Sequence, residues 1–350
     1  MTSTPKPARL DWVDAGRGLA ILLVVSFHAA NWLGAAGIPT EGWVTTNEAM
    51  ATLRMPLFFV LAGLFSQKWL TVSWRTLWSS KISLFAWVFG LWTVISTFSF
   101  MLGLNLQGQN GNYLRQLVDI LWAPALPRFE LWFIWALFWF FIIAKLIRRT
   151  PVWLQLGVTA ALSVVALSGW IEGNVGWTGA AKYLFFFLVG LLLRDQILNV
   201  SASWRTPALT AIFVVWLAVS IAGVFLGWHE SIPGYYFVNA ILGIGAGIGL
   251  SRLLASISML RHVGARTLPI YLMHTTVILI AAWFLWHLPG EWKTIALGWI
   301  VVPILVALST WVALKLAAAA AGKPPWAYAF EAPPWFQFAP PSPSKPHAQS

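Results

Sequence analysis

Ten stretches of this 350-residue chain are apolar and nearly long enough to cross a lipid bilayer, and that feature removes most folds open to it. The hydrocarbon layer is about 30 Å thick, which asks for roughly 20 apolar residues in a helix rising 1.5 Å per residue. Reading the runs between polar, Pro and Gly breaks gives segments at about 16–34, 48–67, 82–103, 130–147, 152–170, 179–194, 207–228, 234–254, 267–287 and 294–316. Charged residues make up 9% of the chain, where soluble domains carry about 25%. The expected fold is an all-α polytopic membrane protein with about ten transmembrane helices.

The cations set the orientation. With the N-terminus inside, 17 of the 22 Lys and Arg fall on the cytoplasmic side, among them Lys6, Arg9, Arg17, Lys68, Lys81, Lys145, Arg261 and Arg266. The opposite side holds Arg54, Arg115, Arg128, Lys182 and Lys293. One helix too many or too few would invert the bias partway along, and it does not invert. Ten helices with both termini cytoplasmic are the arrangement that satisfies the positive-inside rule. The net charge of +11 is then explained by cytoplasmic loops beside anionic headgroups, and no nucleic-acid-binding motif accompanies it. The first apolar run exceeds a usual signal-peptide core, so it reads as a retained helix.

The expected domain layout is a cytoplasmic segment at 1–15, a membrane domain at 16–316 and a Pro-rich, disordered cytoplasmic tail at 317–350. Between helices three and four, Tyr113 to Trp122 reads as an amphipathic or re-entrant helix that could cap a cavity. There is no cysteine, which excludes disulfides and thiolate chemistry, and no HExxH-like ligand spacing, so no metal site is expected. GxSxG is absent. GIGAGIG, residues 243–249, has neither the preceding strand nor the following Lys-Ser/Thr of a nucleotide loop, and its glycines four apart suit close helix packing.

An ionisable side chain within the hydrocarbon is expensive and is by default a functional candidate. His28 lies eleven residues, about 16 Å, beyond Arg17, which puts Arg17 at the cytoplasmic mouth and His28 near the midplane. Histidine suits taking and returning a proton near neutrality, although a buried histidine can equally be a satisfied structural group. Arg17 suits a bidentate phosphate contact or a topology anchor. Asp11 and Asp14 suit the helix start, and Asp14 can pair with Arg17. Arg54, in RMPLFFVLAGLF, falls close to the depth of His28 on a helix that Pro56 and Gly63 suggest is bent. Glu130 marks the outer end of the fourth helix, where it could serve as a cap. Tyr271 and His274, three apart in TLPIYLMHTTV, share a helix face.

These segments resemble a known family. RLDWVDAGRGLAILLVVSFHA is similar to the opening of the acyltransferase-3 membrane proteins, RMPLFFVLAGLF to their second-helix signature, and LPIYLMH to a late-helix signature, over about residues 9–316. The spacing of Arg17 and His28 matches the family's motif of arginine, ten residues and histidine. The resemblance implies transfer of an acyl group, usually acetyl, from cytoplasmic acyl-CoA to an envelope glycan or glycolipid at the outer face of the inner (plasma) membrane. It implies that His28 is essential and that Arg17 acts on the donor side. Many members carry a fused SGNH-type hydrolase domain; none is expected here, so transfer would be direct or through a separate partner. The residues fit such a reading: His28 as general base or nucleophile, Arg54 stabilising an oxyanion, Glu130 beside them, and Arg17, Asp14, Tyr271 and His274 toward the CoA donor, with Arg75, Lys81 or Arg266 as further cations for its phosphates. A transporter or flippase of an envelope precursor, or a non-enzymatic assembly component in which His28 is structural, remains open on the residues alone.

Overall fold

The structure, a computed structural model, describes residues 10–106 and 112–338. Among them are no strands and fourteen helices of seven residues or more. They are α1 (Asp11–Ala35), α2 (Glu41–Ala49), α3 (Ala51–Gly63), α4 (Ser83–Leu106), α5 (Tyr113–Trp122), α6 (Trp132–Ile147), α7 (Val152–Leu167), α8 (Val175–Leu192), α9 (Arg194–Ser203), α10 (Thr206–Phe225), α11 (Tyr235–Leu253), α12 (Ser258–Gly264), α13 (Thr267–Trp286) and α14 (Ile295–Ala320). Eight segments are long and apolar enough to cross a membrane. The other two expected spans are present as shorter apolar helices, α3 and α7. The chain is thus an all-α polytopic membrane protein.

The second expected span, 48–67, is broken at Met50. Thr45, Thr46 and Asn47 each return a side-chain donor to a carbonyl of the preceding turn, which bends and ends helices. Beyond the break, α3 is 13 residues or about 20 Å long, with Pro56 inside it. Helix α3 is wrapped by α1, α8 and α11, so its short length is covered by protein rather than lipid.

Water supplies no hydrophobic drive between helices inside a bilayer, so close packing and polar contacts must hold them together. GIGAGIG does this on two faces of α11. A Cβ on Gly243 would sit 2.6 Å from the Thr52 carbonyl of α3, and one on Gly249 would sit 3.2 Å from Leu209 of α10. Polar contacts reinforce the same junction: Trp216 Nε1 donates to Thr52 Oγ1 at 3.0 Å, and Asn239 Nδ2 to Ser220 Oγ at 2.9 Å. Phe59 sits at the centre of the bundle, stacked on Tyr183 at 5.3 Å and tilted against Phe133 and Phe140 at 4.7 and 5.3 Å. Such ring pairs contribute about 0.5–1.5 kcal/mol each beyond area burial.

Helix α5 matches the expected amphipathic element. Leu114, Leu117, Val118 and Leu121 share one exposed face, while Arg115, Gln116 and Asp119 lie off it. Arg128 ties α5 down through Asp119 at 3.3 Å and through Gln116.

The tail departs from expectation. Helix α14 continues to Ala320, and residues 322–338 then fold back as a strap containing short helical turns at Trp326–Ala329 and Pro334–Gln337. The strap docks on α4: the Trp87 and Trp92 indoles donate to the carbonyls of Tyr328 and Ala329, both at 2.7 Å, and Trp335 and Phe336 pack on Trp87. The Pro-rich composition hides aromatic anchors that hold an ordered segment. Residues 339–350 lie outside the described residues.

Candidate active site

Helix α1 carries both Arg17 and His28, and the bundle encloses the length between them. His28 Nδ1 lies 3.3 Å from Glu130 Oε1. Glu130, expected either as a cap at the outer end of its helix or beside His28 and Arg54, is turned inward toward His28. Phe129, the residue before it, has φ 55°, in the left-handed region that costs a bulky side chain about 1–3 kcal/mol. Phe129 is held there by the Phe100 ring at 4.2 Å and by Arg128, 4.8 Å over its face. A strained residue next to a buried carboxylate is a common mark of a constructed site.

His274 stands behind His28, with ring centroids 5.1 Å apart. Its Nδ1 is 2.7 Å from the Tyr271 carbonyl and 3.1 Å from that of Ile270. Carbonyls only accept, so Nδ1 carries the proton, and in the neutral ring Nε2 accepts from the Thr275 hydroxyl at 3.2 Å. The Tyr271 hydroxyl donates to the backbone carbonyl of Glu130 and so pins that residue's main chain. Thr275 is a member that sequence reading missed, although it directly follows His274.

Arg54 is buried and shares the neighbourhood of His28. Its guanidinium lies 4.4 Å over the ring of Phe27, the residue before His28, and reaches Asn47 Oδ1 at 3.5 Å. Among the described residues it has no carboxylate ion pair. The expected approach of Arg54 and His28 from adjacent helices is therefore present, mediated by Phe27.

A cleft of about 260 Å³ leads toward this cluster from the end of the bundle where α1 and α13 begin. Arg17, Ser66, Trp69 and Lys81 line it, as do Phe58, Phe133 and Tyr271. Arg17 donates to the Leu61 carbonyl at 3.1 Å and lies 5.2 Å over the Phe65 ring, so a planar cation is held on the cleft wall. Nearby, Lys145 of α6 donates to the carbonyls of Trp69, Leu70 and Val72 and ties down the loop behind the cleft.

The sequence-expected residues thus divide. Arg17 and Tyr271 line the cleft; His28 and Glu130 pair outside its lining, and Arg54 stands over the ring of Phe27, the neighbour of His28. His274, expected toward the donor, is fully buried beside His28 instead, with both ring nitrogens engaged. Asp14 is buried where α1 meets α12 and does not line the cleft. Asp11, expected to cap α1, pairs with Arg261 of α12.

The family model described as an acyltransferase domain, Acyl_transf_3, matches residues 10–317, which contain every one of these groups. The chain belongs to this acyltransferase family. No curated protein and no solved structure matches it significantly. The family membership makes an acyl donor and an acyl acceptor the substrates.

Proposed function

We propose that this acyltransferase moves an acyl group, acetyl in the simplest case, from cytoplasmic acyl-CoA to a hydroxyl of an envelope glycan or glycolipid on the far side of the inner membrane. The observation that carries the reading is the His28–Glu130 pair beyond a cleft walled by Arg17 and Lys81. CoA is polyanionic, and guanidinium and ammonium groups at the mouth suit its phosphates. Its thin pantetheine arm suits a narrow cleft, which brings the thioester to His28.

In this mechanism Glu130 accepts the Nδ1 proton of His28 in a hydrogen bond and leaves Nε2 as the base. The acceptor hydroxyl gives its proton to Nε2 as its oxygen attacks the thioester carbonyl carbon. Arg54 faces the negative charge that builds on the carbonyl oxygen. The C–S bond then breaks, and His28 returns the proton to the departing thiolate, yielding the ester and free CoA. Tyr271 and His274 hold the pair in place.

The test uses inverted membrane vesicles carrying the protein and radiolabelled acetyl-CoA. Wild type is expected to incorporate label into membrane material, and His28→Ala to fall at least a hundredfold, in line with the roughly 10²–10⁴ that general base catalysis supplies. Failure of wild type to transfer acetyl, propionyl or succinyl groups overturns the donor assignment. Full activity in His28→Ala overturns the mechanism.

A further inference from the structure

The strap at 322–338 closes a second cavity, of about 580 Å³, against the start of α13 and the end of α14. This is within the roughly 300–1,000 Å³ range of small-molecule sites. Thr267 and Leu268, the first turn of α13, line both this cavity and the Arg17 cleft, so the two lie on either side of one helix start. No side chain caps that helix start. Arg266 lines the cavity from α13, and Phe330 and Glu331 from the strap. Arg266 donates to His262 Nδ1 at 3.0 Å and makes no ion pair with a carboxylate among the described residues, which leaves most of its five donors for a ligand. Glu331 is exposed.

We infer that the strap forms part of the donor site and that this cavity takes the 3′-phosphoadenosine end of CoA, its diphosphate crossing Thr267 and Leu268 to the Arg17 and Lys81 end of the cleft. The inference rests on the acyl-CoA reading above and extends it. The chemistry matches group by group. Arg266 and the uncapped first turn of α13 suit the 3′-phosphate, and Arg17 and Lys81 the diphosphate. The Phe330 ring suits the flat face of adenine, and the Glu331 carboxylate accepts from its exocyclic amine. The pantetheine arm then continues into the Arg17 cleft. A strap held by two tryptophan hydrogen bonds and a cluster of aromatic rings is firm enough to serve as a wall.

The experiment compares binding of CoA with binding of pantetheine, which lacks the nucleotide, to purified protein in nanodiscs by titration calorimetry. Truncation after Gly322 is expected to weaken CoA binding at least tenfold and leave pantetheine binding unchanged. Truncation after Phe338 is expected to change neither. Arg266→Glu, which keeps the strap, is expected to reproduce the selective loss and separates recognition from misfolding. Equal weakening of both ligands by Arg266→Glu, or CoA binding by that variant at full strength, overturns the inference. A full-length chain that binds pantetheine and CoA equally well overturns it while leaving the donor reading intact; one that binds neither overturns both.

Discussion

Replacing Glu130 by Gln keeps the shape of the side chain and a hydrogen-bond acceptor for His28 but removes the charge. The unit charges of an imidazolium and a carboxylate 3.3 Å apart attract by about 5 kcal/mol at an effective dielectric constant of about 20. The charge on His28 is only partly developed as the hydroxyl proton transfers. About half of that attraction, about 2.5 kcal/mol, is then realised in the transition state alone. At about 1.4 kcal/mol per decade, kcat should fall by nearly a hundredfold, with KM for acetyl-CoA little changed. The assay is favoured by the composition: the chain has no cysteine, so the thiol of released CoA can be followed with a thiol reagent against no background from the protein. A Glu130→Gln variant within threefold of wild-type kcat would refute the argument, since it would show that the carboxylate charge does not assist His28.

Arg17→Ala should raise KM for acetyl-CoA by about ten- to a hundredfold with kcat nearly unchanged, matching the roughly 1.5–3 kcal/mol of a charged hydrogen bond; an unchanged KM returns Arg17 to an anchoring role. Tyr271→Phe removes one of the two hydrogen bonds to the Glu130 carbonyl, which keeps the Trp132 N–H, a loss of about 0.5–1.5 kcal/mol. It should lower kcat about tenfold while the protein elutes and melts as a folded species, and wild-type kcat would dismiss the pinning role. Gly264→Ala would place a Cβ 1.7 Å from the Asp14 carbonyl, so α12 must move away from α1. Overpacking of this kind costs about 1–3 kcal/mol or more, and a thermal melt should show a drop of several degrees.

The membrane helices were readable because apolar runs and cation counts report directly on burial in lipid, and all ten expected segments are helical. The break at Met50 was not, because it depends on three polar side chains turning back on their own helix. The spacing of Arg17 and His28 placed the two along one axis, but the Glu130 contact joins residues far apart in the chain and has no local signal. Tyr271 and His274 share a helix face, as their spacing implies. One turn of rise separates them, so Tyr271 reaches the cleft and His274 reaches His28. The strap was hidden by composition: eight prolines between residues 324 and 346 suggest disorder, while docking depends on Trp87, Trp92, Trp335 and Phe336 meeting in three dimensions.

Helix α3 is about 20 Å long in a layer about 30 Å thick, so it does not span the layer by itself. Protein rather than lipid surrounds it, and the rings around Phe59 fill the centre of the bundle beside it. In the proposed transfer across the membrane the protein must act as a seal as well as a catalyst, passing an acyl group while holding back protons driven by the membrane potential. In that reading the rings around Phe59 belong to the permeability barrier. Phe59→Ala should let an imposed pH gradient across proteoliposomes decay faster than wild type does, whatever it does to acyl transfer, and an unchanged decay would assign the barrier to other residues.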